Sequence, residues 1–316
     1  MEMMASDGII DQAYEWLCER RKEYSANSDV WHLRWQWPKI KPRLQAQLLA
    51  GEHRLRANAR FTVDGKTIEL LSSLDALVLK AVALVLTEHL KPHLSPHCYH
   101  IAGHGGLKGA VRAVAENLAD NKFVLRSDVL SYYASIDHEI LYDLACPYIL
   151  DQRVRDLLWA YMRRTVYEDG IYRDITRGIP LGCSLSPLMG ALYLKPLDDR
   201  ITETGLFYAR FMDDWVTLSP TRWKLRKAVK LTNQILADLH VEKHPDKTYI
   251  GKISKGFDFL GYSFTPQGLG VAQKTIDRHT VRLDRLYEQG ADSERIGQYI
   301  RHWWRWVRAG VELDYL

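Results

Sequence analysis

Residues 207–218 read FYARFMDDWVTL, and this short segment says more about the fold than any other part of the chain. Two runs of apolar and aromatic residues that favour β-strands meet at two adjacent acids, Asp213 and Asp214. The pattern predicts a β-hairpin with the acids at its turn. Two-residue hairpin turns usually contain Asn-Gly or Asp-Gly, so two aspartates between apolar strands indicate a further role. A divalent metal site is the usual reason, and a solvated turn is the alternative.

Further segments with chemical character lie on both sides of this hairpin. Upstream, FVLRSDVLSYYASIDH (residues 123–138) is a short predicted strand that ends at Asp128 and continues into aromatic residues. The others are GIPLGCSLSP (178–187), which precedes an apolar helix, and then HPDKT (244–248) and GFDFLGY (256–262).

In this order the segments resemble the palm of a reverse transcriptase, most closely that of group II intron and related bacterial enzymes. FMDD stands where the family has an aromatic residue, any residue and two aspartates, and FLGY is typical of the bacterial branch. The resemblance runs from about Trp35 to Tyr262. It implies an α+β protein with the right-hand polymerase fold: fingers, a palm of antiparallel sheet plus helices, and a short helical thumb.

The predicted organisation follows from this resemblance and from hydrophobic periodicity. The N-terminal extension and fingers are expected at 1–120 and the palm at 121–265, with a fingers insertion at about 138–180. A thumb-like helical C-terminus is expected at 266–316. Within the palm, the periodicity predicts one helix from Pro187 to about Glu203.

The chemistry of polymerisation explains the acids. A 3′-hydroxyl attacks an α-phosphate, and two metal ions about 4 Å apart activate the nucleophile and stabilise the leaving pyrophosphate. Mg²⁺ prefers carboxylate oxygens and keeps several waters, so two acids on neighbouring strand ends suffice. Asp128 and Asp213 are the predicted ligands of two Mg²⁺ ions, for which Mn²⁺ can substitute. The resemblance adds Val129 to the metal site and makes Asp214 a supporting catalytic acid.

The resemblance also implies residues that contact nucleotide and template. Tyr133 lies five residues after Asp128, where the family has an aromatic gate that excludes a 2′-hydroxyl; a core tyrosine is the alternative. Gly182 resembles the glycine that approaches the incoming nucleotide, and Ser186 lies at the helix start that holds the template base. Lys247 resembles the lysine that acts on the leaving pyrophosphate, with a solvated lysine as the alternative.

Three positions depart from the family pattern. In the fingers segment DGKTIEL (64–70), Ile68 replaces the usual arginine, and Lys66 is predicted to contact the nucleotide instead. In YHIAGHGG (99–106), Ala102 lies where relatives have the arginine of a Phe-Arg step. Leu181 replaces a glutamine before Gly182. These differences concern nucleotide affinity and fidelity rather than the acid-metal chemistry.

The C-terminal segment RIGQYIRHWWRWVR (295–308) predicts an amphipathic helix with aromatic residues on one face. Its opposite face carries Arg301, Arg305 and Arg308, which in a thumb helix would lie along nucleic-acid phosphates. A solvated basic face is the alternative.

Composition agrees with a globular enzyme. The chain has 316 residues, 47% of them hydrophobic, which is enough for about two lobes with a sizeable core. The formal net charge of +4 is small, so any contact with nucleic acid depends on local clusters. The four cysteines lack CxxC spacing, and neither a secretory signal nor a membrane span is predicted. A cytoplasmic location without membrane contact is expected.

The expected function is RNA-directed DNA polymerisation with an RNA template, a DNA or RNA primer and dNTPs. No zinc-ligand or nuclease pattern follows Val311, so a stand-alone or domesticated retroelement or phage-defence enzyme is expected, working with a cognate non-coding RNA or accessory protein. One alternative is a catalytically weak, maturase-like RNA-binding module. The other is a template-independent or protein-primed DNA polymerase.

Overall fold

A computed structural model of the chain describes residues 1–63 and 66–308, without the side chains of Val63 and Lys66. The helices are α1 (Asp7–Arg20), α2 (Asp29–Trp35), α3 (Trp37–Ala50), α4 (Ser73–Leu90), α5 (Gly106–Glu116), α6 (Tyr132–Ser135), α7 (His138–Ala145), α8 (Gln152–Met162), α9 (Ser186–Tyr193), α10 (Lys195–Thr202), α11 (Arg222–Asp238), α12 (Gln273–Glu288) and α13 (Ser293–Arg308). The strands are β1 (Asn58–Val63), β2 (Lys66–Leu70), β3 (Phe123–Asp128), β4 (Thr165–Glu168), β5 (Ile171–Asp174), β6 (Phe207–Phe211), β7 (Asp214–Ser219), β8 (Tyr249–Lys252), β9 (Phe257–Phe259), β10 (Tyr262–Thr265) and β11 (Gly268–Val271).

These elements form two compact units. The first unit contains Met1–Leu94, Ser131–Lys195 and Leu239–Val241, and the second contains Ser95–Leu130, Pro196–Asp238 and the chain from Glu242 onward. Each unit therefore consists of segments that are distant in sequence.

The first unit combines helices with a small mixed sheet. Helix α4 is apolar along most of its length and packs against α1 and α2, and Ser72 caps its start by accepting the Asp75 N–H. The sheet has the order β2-β1-β4-β5. Its two hairpins are antiparallel, whereas β1 and β4 pair in parallel.

The second unit contains an antiparallel sheet with the order β6-β7-β3-β8. Phe211 pairs with Asp214 across the β6–β7 hairpin, so the turn consists of Met212 and Asp213. In the next ladder Asp128 pairs with Asp214. The register thus brings the ends of β3 and of the hairpin together, and the prediction of an α+β fold with an antiparallel sheet is confirmed.

A hydrophobic core holds the second unit together. It joins α5 and the central strands to a second antiparallel sheet of order β11-β10-β9. Phe257 and Phe264 stack within it at a centroid distance of 5.0 Å. Removal of this apolar surface from water is the main force that fixes the sheet carrying the acids.

The single helix predicted from Pro187 to Glu203 is wrong. The segment forms α9 and α10, with Leu194 between them. Pro196 has no N–H to donate to the preceding turn, and its ring is tolerated only in the first turn of a helix. A new helix therefore begins at Lys195.

Within residues 1–63 and 66–308, no helix is both long enough and apolar enough to cross a membrane.

Candidate active site

The turn that carries Asp213 has an unusual backbone conformation. Met212 adopts a φ of +59°, which is uncommon for a residue with a side chain. Its N–H donates to Nδ1 of His100 at 3.0 Å, and its carbonyl accepts a hydrogen bond from Nη1 of Arg210 at 2.7 Å. Both ends of the Met212 main chain are therefore held, and this fixes the position of the adjacent acid.

His100 reaches the turn because its chain segment lies along β6. The N–H of Arg210 donates to the His97 carbonyl at 2.9 Å, and the N–H of Tyr99 donates to the Arg210 carbonyl at 2.8 Å. His100 thus lies in the segment where the sequence departs from the family, and it supports the turn of the β6–β7 hairpin. Sequence analysis did not assign it this role.

Arg210 and Asp198 form a fully buried ion pair beneath the turn. The guanidinium donates to the Asp198 carboxylate from Nε at 2.6 Å and from Nη2 at 2.5 Å. The Tyr208 hydroxyl also donates to Asp198, at 2.8 Å. The negative charge of Asp198 helps keep the pKa of Arg210 well above its usual value despite complete burial, so the guanidinium stays charged. The sequence signal for this ion pair is an arginine within an apolar strand, because a buried charge needs an oppositely charged partner.

Asp128 ends β3 and is 7% exposed. Lys247, in the short 3₁₀ helix Pro245–Lys247, places its Nζ 3.0 Å from both carboxylate oxygens of Asp128. The main-chain carbonyl of Asp128 accepts the N–H of His244 at 2.7 Å, and this hydrogen bond anchors the loop that carries Lys247. The predicted nucleotide-binding lysine therefore contacts the predicted metal-binding acid.

The other two acids are poorly solvated. Burial raises the pKa of Asp214 to about 6, although the Arg126 guanidinium, 3.1 Å away, opposes this shift. Burial also raises the pKa of Asp213, and the negative charge of Asp128 adds to the effect. Arg126 further donates to the carbonyl of Lys247 at 2.9 Å. Sequence analysis missed Arg126, although its place two residues before Asp128 puts it on the same face of the strand.

The acids fit a hard divalent cation. Oδ1 of Asp214 is buried and, among the residues that the structure describes, has no hydrogen-bond partner. Val129 is apolar and 1% exposed, so its main-chain oxygen is the only ligand it can offer. The described ranges contain no group of three or more His, Cys, Asp or Glu side chains arranged to hold a metal. Mg²⁺ is commonly held by one or two carboxylates, waters and substrate phosphates.

Tyr133 lies in the first unit, packed against a glycine. A Cβ on Gly190 would lie 3.0 Å from Cε1 of Tyr133, and the neighbouring Tyr132 donates its hydroxyl to the Gly190 carbonyl at 2.5 Å. The carbonyl of Tyr133 accepts the N–H of Ile179 at 2.8 Å. Gly178, with φ +86°, leaves no room for a Cβ beside Ala134. The aromatic segment and the GIPLG loop are thus fixed to each other.

The predicted residues that follow this loop differ in accessibility. Gly182 is exposed with φ +88° and open space around it, and Leu181 is 62% exposed. Ser186 is fully buried, and its hydroxyl lies 2.6 Å from both the Tyr161 hydroxyl and the Pro180 carbonyl. The Ser186 side chain is thus used inside the protein to hold the loop, and a contact of this helix start with nucleic acid stays a prediction.

The β1–β2 hairpin presents apolar surface where the family resemblance predicts an arginine. Ile68 is 39% exposed and pairs with Phe61. Arg60 does not replace the missing arginine, since it donates to Glu69 at 2.7 Å. Lys66 begins β2, but its side chain lies outside the described part of the structure.

Helix α13 has the predicted amphipathic arrangement. Arg301, Arg305 and Arg308 are exposed, while Trp303 is partly buried and stacks on His279 at a centroid distance of 4.0 Å. Within residues 1–63 and 66–308, none of the three arginines forms an ion pair.

Comparison with known proteins identifies the family. The model described as "Reverse transcriptase (RNA-dependent DNA polymerase)" matches residues 66–264, which is more than half of the chain, so the chain belongs to the reverse transcriptase family. It is 22% identical over 228 residues to Protein YkfC of Escherichia coli, a match that covers 60% of each chain. It is also 22% identical over 169 residues to Group II intron-encoded protein LtrA of Lactococcus lactis subsp. cremoris, covering 54% of this chain and 28% of LtrA. The chain thus spans less than two thirds of the length of these curated relatives.

Proposed function

We propose that this protein is an RNA-directed DNA polymerase that extends a primer with dNTPs on an RNA template. The observation that carries the proposal is the arrangement of Asp128, Asp213 and Asp214 on paired strand ends, within a family of RNA-dependent DNA polymerases. Asp128, Asp213 and the main-chain oxygen of Val129 would hold Mg²⁺. Bound there, the metal ions would lower the pKa of the primer 3′-hydroxyl and stabilise charge on the leaving pyrophosphate.

The other side chains have separate roles in this proposal. Arg126 positions the Asp214 carboxylate, and Lys247 supplies positive charge or a proton to the pyrophosphate. Tyr133 excludes ribonucleotides by contact with the sugar. The exposed Gly182 permits close approach of the nucleotide.

We propose an assignment of the helices and strands to the parts of a polymerase hand. The sheet β6-β7-β3-β8 is proposed as the palm, the β1–β2 hairpin belongs to the fingers, and α12 and α13 form the thumb. Arg301, Arg305 and Arg308 would lie along the backbone of the template and primer. The boundaries 1–120, 121–265 and 266–316 are retained for these parts as a proposal.

Primer extension with matched acid variants tests the proposal. The full chain is incubated with an RNA template annealed to a DNA primer, Mg²⁺ and dNTPs. Asp213→Asn should lower the extension rate by about 100-fold or more, because several kcal/mol of charge stabilisation is lost and each 1.4 kcal/mol corresponds to tenfold. Asp246→Asn, the same change at an exposed acid beside Lys247, is the control and should retain activity. Equal rates in the two variants would contradict the assignment.

A non-catalytic RNA-binding role is the second candidate. It is favoured by Ile68 and Leu181, which present exposed apolar side chains where relatives contact the nucleotide. In that case the wild-type protein would bind the annealed duplex but extend nothing, with Mn²⁺ as well as with Mg²⁺.

A further inference from the structure

A surface groove of about 750 Å³ lies in the second unit between α11 and the edge strand β8. It is remote from the acids along the sheet. Phe123, the first residue of β3, lines the groove and pairs with Lys252, whereas Asp128 is the last residue of the same strand. Five residues at about 3.3 Å each separate the groove from the acids by roughly 17 Å along the strand.

The charged residues of this region are all basic. Residues 222–237 and 249–255 contain seven lysines and arginines and no acid, whereas the whole chain has a net charge of only +4. The rest of the chain is therefore net acidic, and the basic character is concentrated here. Four of the seven cations line the groove: Arg222, Arg226, Lys252 and Lys255.

These four cations are exposed and uncompensated. Throughout the described ranges 1–63 and 66–308, none of them forms an ion pair. Four like charges around one groove repel each other, and a bound polyanion would relieve that repulsion.

The remaining groove residues are mostly apolar and aromatic. Leu225 and Val229 come from α11, and Phe123, Tyr249 and Ile250 come from the strands. Ile250 is 47% exposed. Phe123 pairs with Lys252, so their side chains lie on one face of the sheet, whereas Tyr249 pairs with Arg126 and its ring lies on the other face, packed against the core of the second unit. Sites for single-stranded nucleic acid combine such features: cations that follow the backbone and rings on which unpaired bases stack.

We propose that this groove binds single-stranded RNA at a site separate from the polymerase site. Arg222 and Arg226, one helical turn apart, face Lys252 and Lys255 across the groove and contact the phosphates. Phe123 contacts the bases. The groove itself is independent of polymerase activity, and only the choice of RNA over DNA rests on the proposed function.

Binding of labelled single-stranded RNA tests this site directly. The full chain is first saturated with an unlabelled RNA–DNA primer–template duplex, so that the polymerase site is occupied. A fluorescent single-stranded RNA of mixed sequence is then titrated, and its anisotropy is followed at several salt concentrations. The groove variant is Arg226→Glu with Lys255→Glu. The control is Lys224→Glu with Lys227→Glu, which makes the same charge change on exposed α11 residues outside the groove.

The groove variant should bind the RNA at least about tenfold more weakly than the wild type, and the control should bind within about twofold of it. Loss of two phosphate contacts should also reduce the slope of log affinity against log salt by about 1.4. A 4-thiouridine probe should crosslink to residues 222–229 or 249–255 in the wild-type protein.

Three results would overturn the proposal: equal loss of affinity in the groove and control variants, crosslinks confined to other segments, or equally strong competition by polyglutamate. Tighter binding of a single-stranded DNA of the same sequence would overturn the choice of RNA. Two further measurements separate this site from catalysis. Asp213→Asn should leave RNA binding in the groove unchanged. The groove variant should still extend a short annealed primer.

Discussion

The ammonium group of Lys247 lies 3.0 Å from both carboxylate oxygens of Asp128. The acid assigned to the metal is thus paired with a cation of the chain itself. In the proposed mechanism, a divalent ion that binds Asp128 would compete with this contact, and the released lysine would act on the phosphates of the nucleotide. Lys247 would thereby link metal binding to the transfer chemistry.

Replacement of Lys247 by methionine should separate these two effects. The rate of single-nucleotide addition should fall, by about 100-fold if the lysine is a general acid. The Mg²⁺ concentration for half-maximal rate should also fall, because the competing cation is gone. Addition rates over a Mg²⁺ titration measure both, with the exposed Lys224→Met as control. An unchanged Mg²⁺ requirement would show that the contact does not compete with the metal.

The Arg210–Asp198 pair should have separate effects on stability and activity. Asp198→Ala leaves a buried guanidinium unpaired and should lower the free energy of unfolding by about 3–5 kcal/mol. The double variant Arg210→Met with Asp198→Leu should recover part of that loss, because no buried charge remains although the Tyr208 hydroxyl loses its acceptor. Its activity should stay low, since the Met212 carbonyl has lost its donor. Urea unfolding and primer extension measure the two properties. A double variant with full activity would exclude the turn-holding role of Arg210.

Tyr133 should control the choice of sugar. Tyr133→Ala should raise kcat/KM for NTPs relative to dNTPs by roughly ten- to 200-fold, the range for removal of a close contact in a pocket. Tyr133→Phe retains the ring and should retain selectivity. Gly190→Ala should also reduce selectivity, because its Cβ would displace the ring from 3.0 Å away. If all three variants discriminate as the wild type does, the gate lies elsewhere.

At alkaline pH, the ionisation of Lys108 should contribute to the pH dependence of the free energy of unfolding. Its ammonium lies 4.3 Å from the Trp306 ring centroid and 4.6 Å from that of Tyr262, and burial lowers its pKa from 10.5 to about 8. Between pH 8 and 10.5 the unfolded chain holds this proton more tightly, so Lys108 adds a positive contribution to the slope of the free energy of unfolding against pH in that window. Below pH 8 the group adds no slope.

Lys108→Met should lose this positive contribution, so its free energy of unfolding should rise less, or fall more, with pH than that of the wild type. Lys274→Met, at an exposed site on α12, should keep the wild-type slope. Urea unfolding across the window measures the slopes. A slope in Lys108→Met that is equal to or more positive than that of the wild type would mean that the two rings stabilise the ammonium at least as much as burial destabilises it.

The β6–β7 hairpin, the strand ending at Asp128 and the amphipathic helix α13 could be predicted from the sequence alone, because each depends on local periodicity. It did not identify the contacts that hold the turn. His100 is 112 positions from Met212, and only the pairing of its segment with β6 brings them together. The burial of Ser186 could not be predicted, because the position of a residue in a motif says nothing about its burial. Lys247 was placed near the nucleotide, but its contact with Asp128 depends on the loop between α11 and β8.

The proposed reaction is the synthesis of DNA directed by an RNA strand. To test it, the full chain is supplied with an RNA template of mixed sequence, an annealed DNA primer, Mg²⁺ and either dNTPs or NTPs, and the products are sequenced. The products should be DNA complementary to the template, formed from dNTPs and absent with Asp213→Asn. A product unrelated to the template, or the same product without any template, would contradict it.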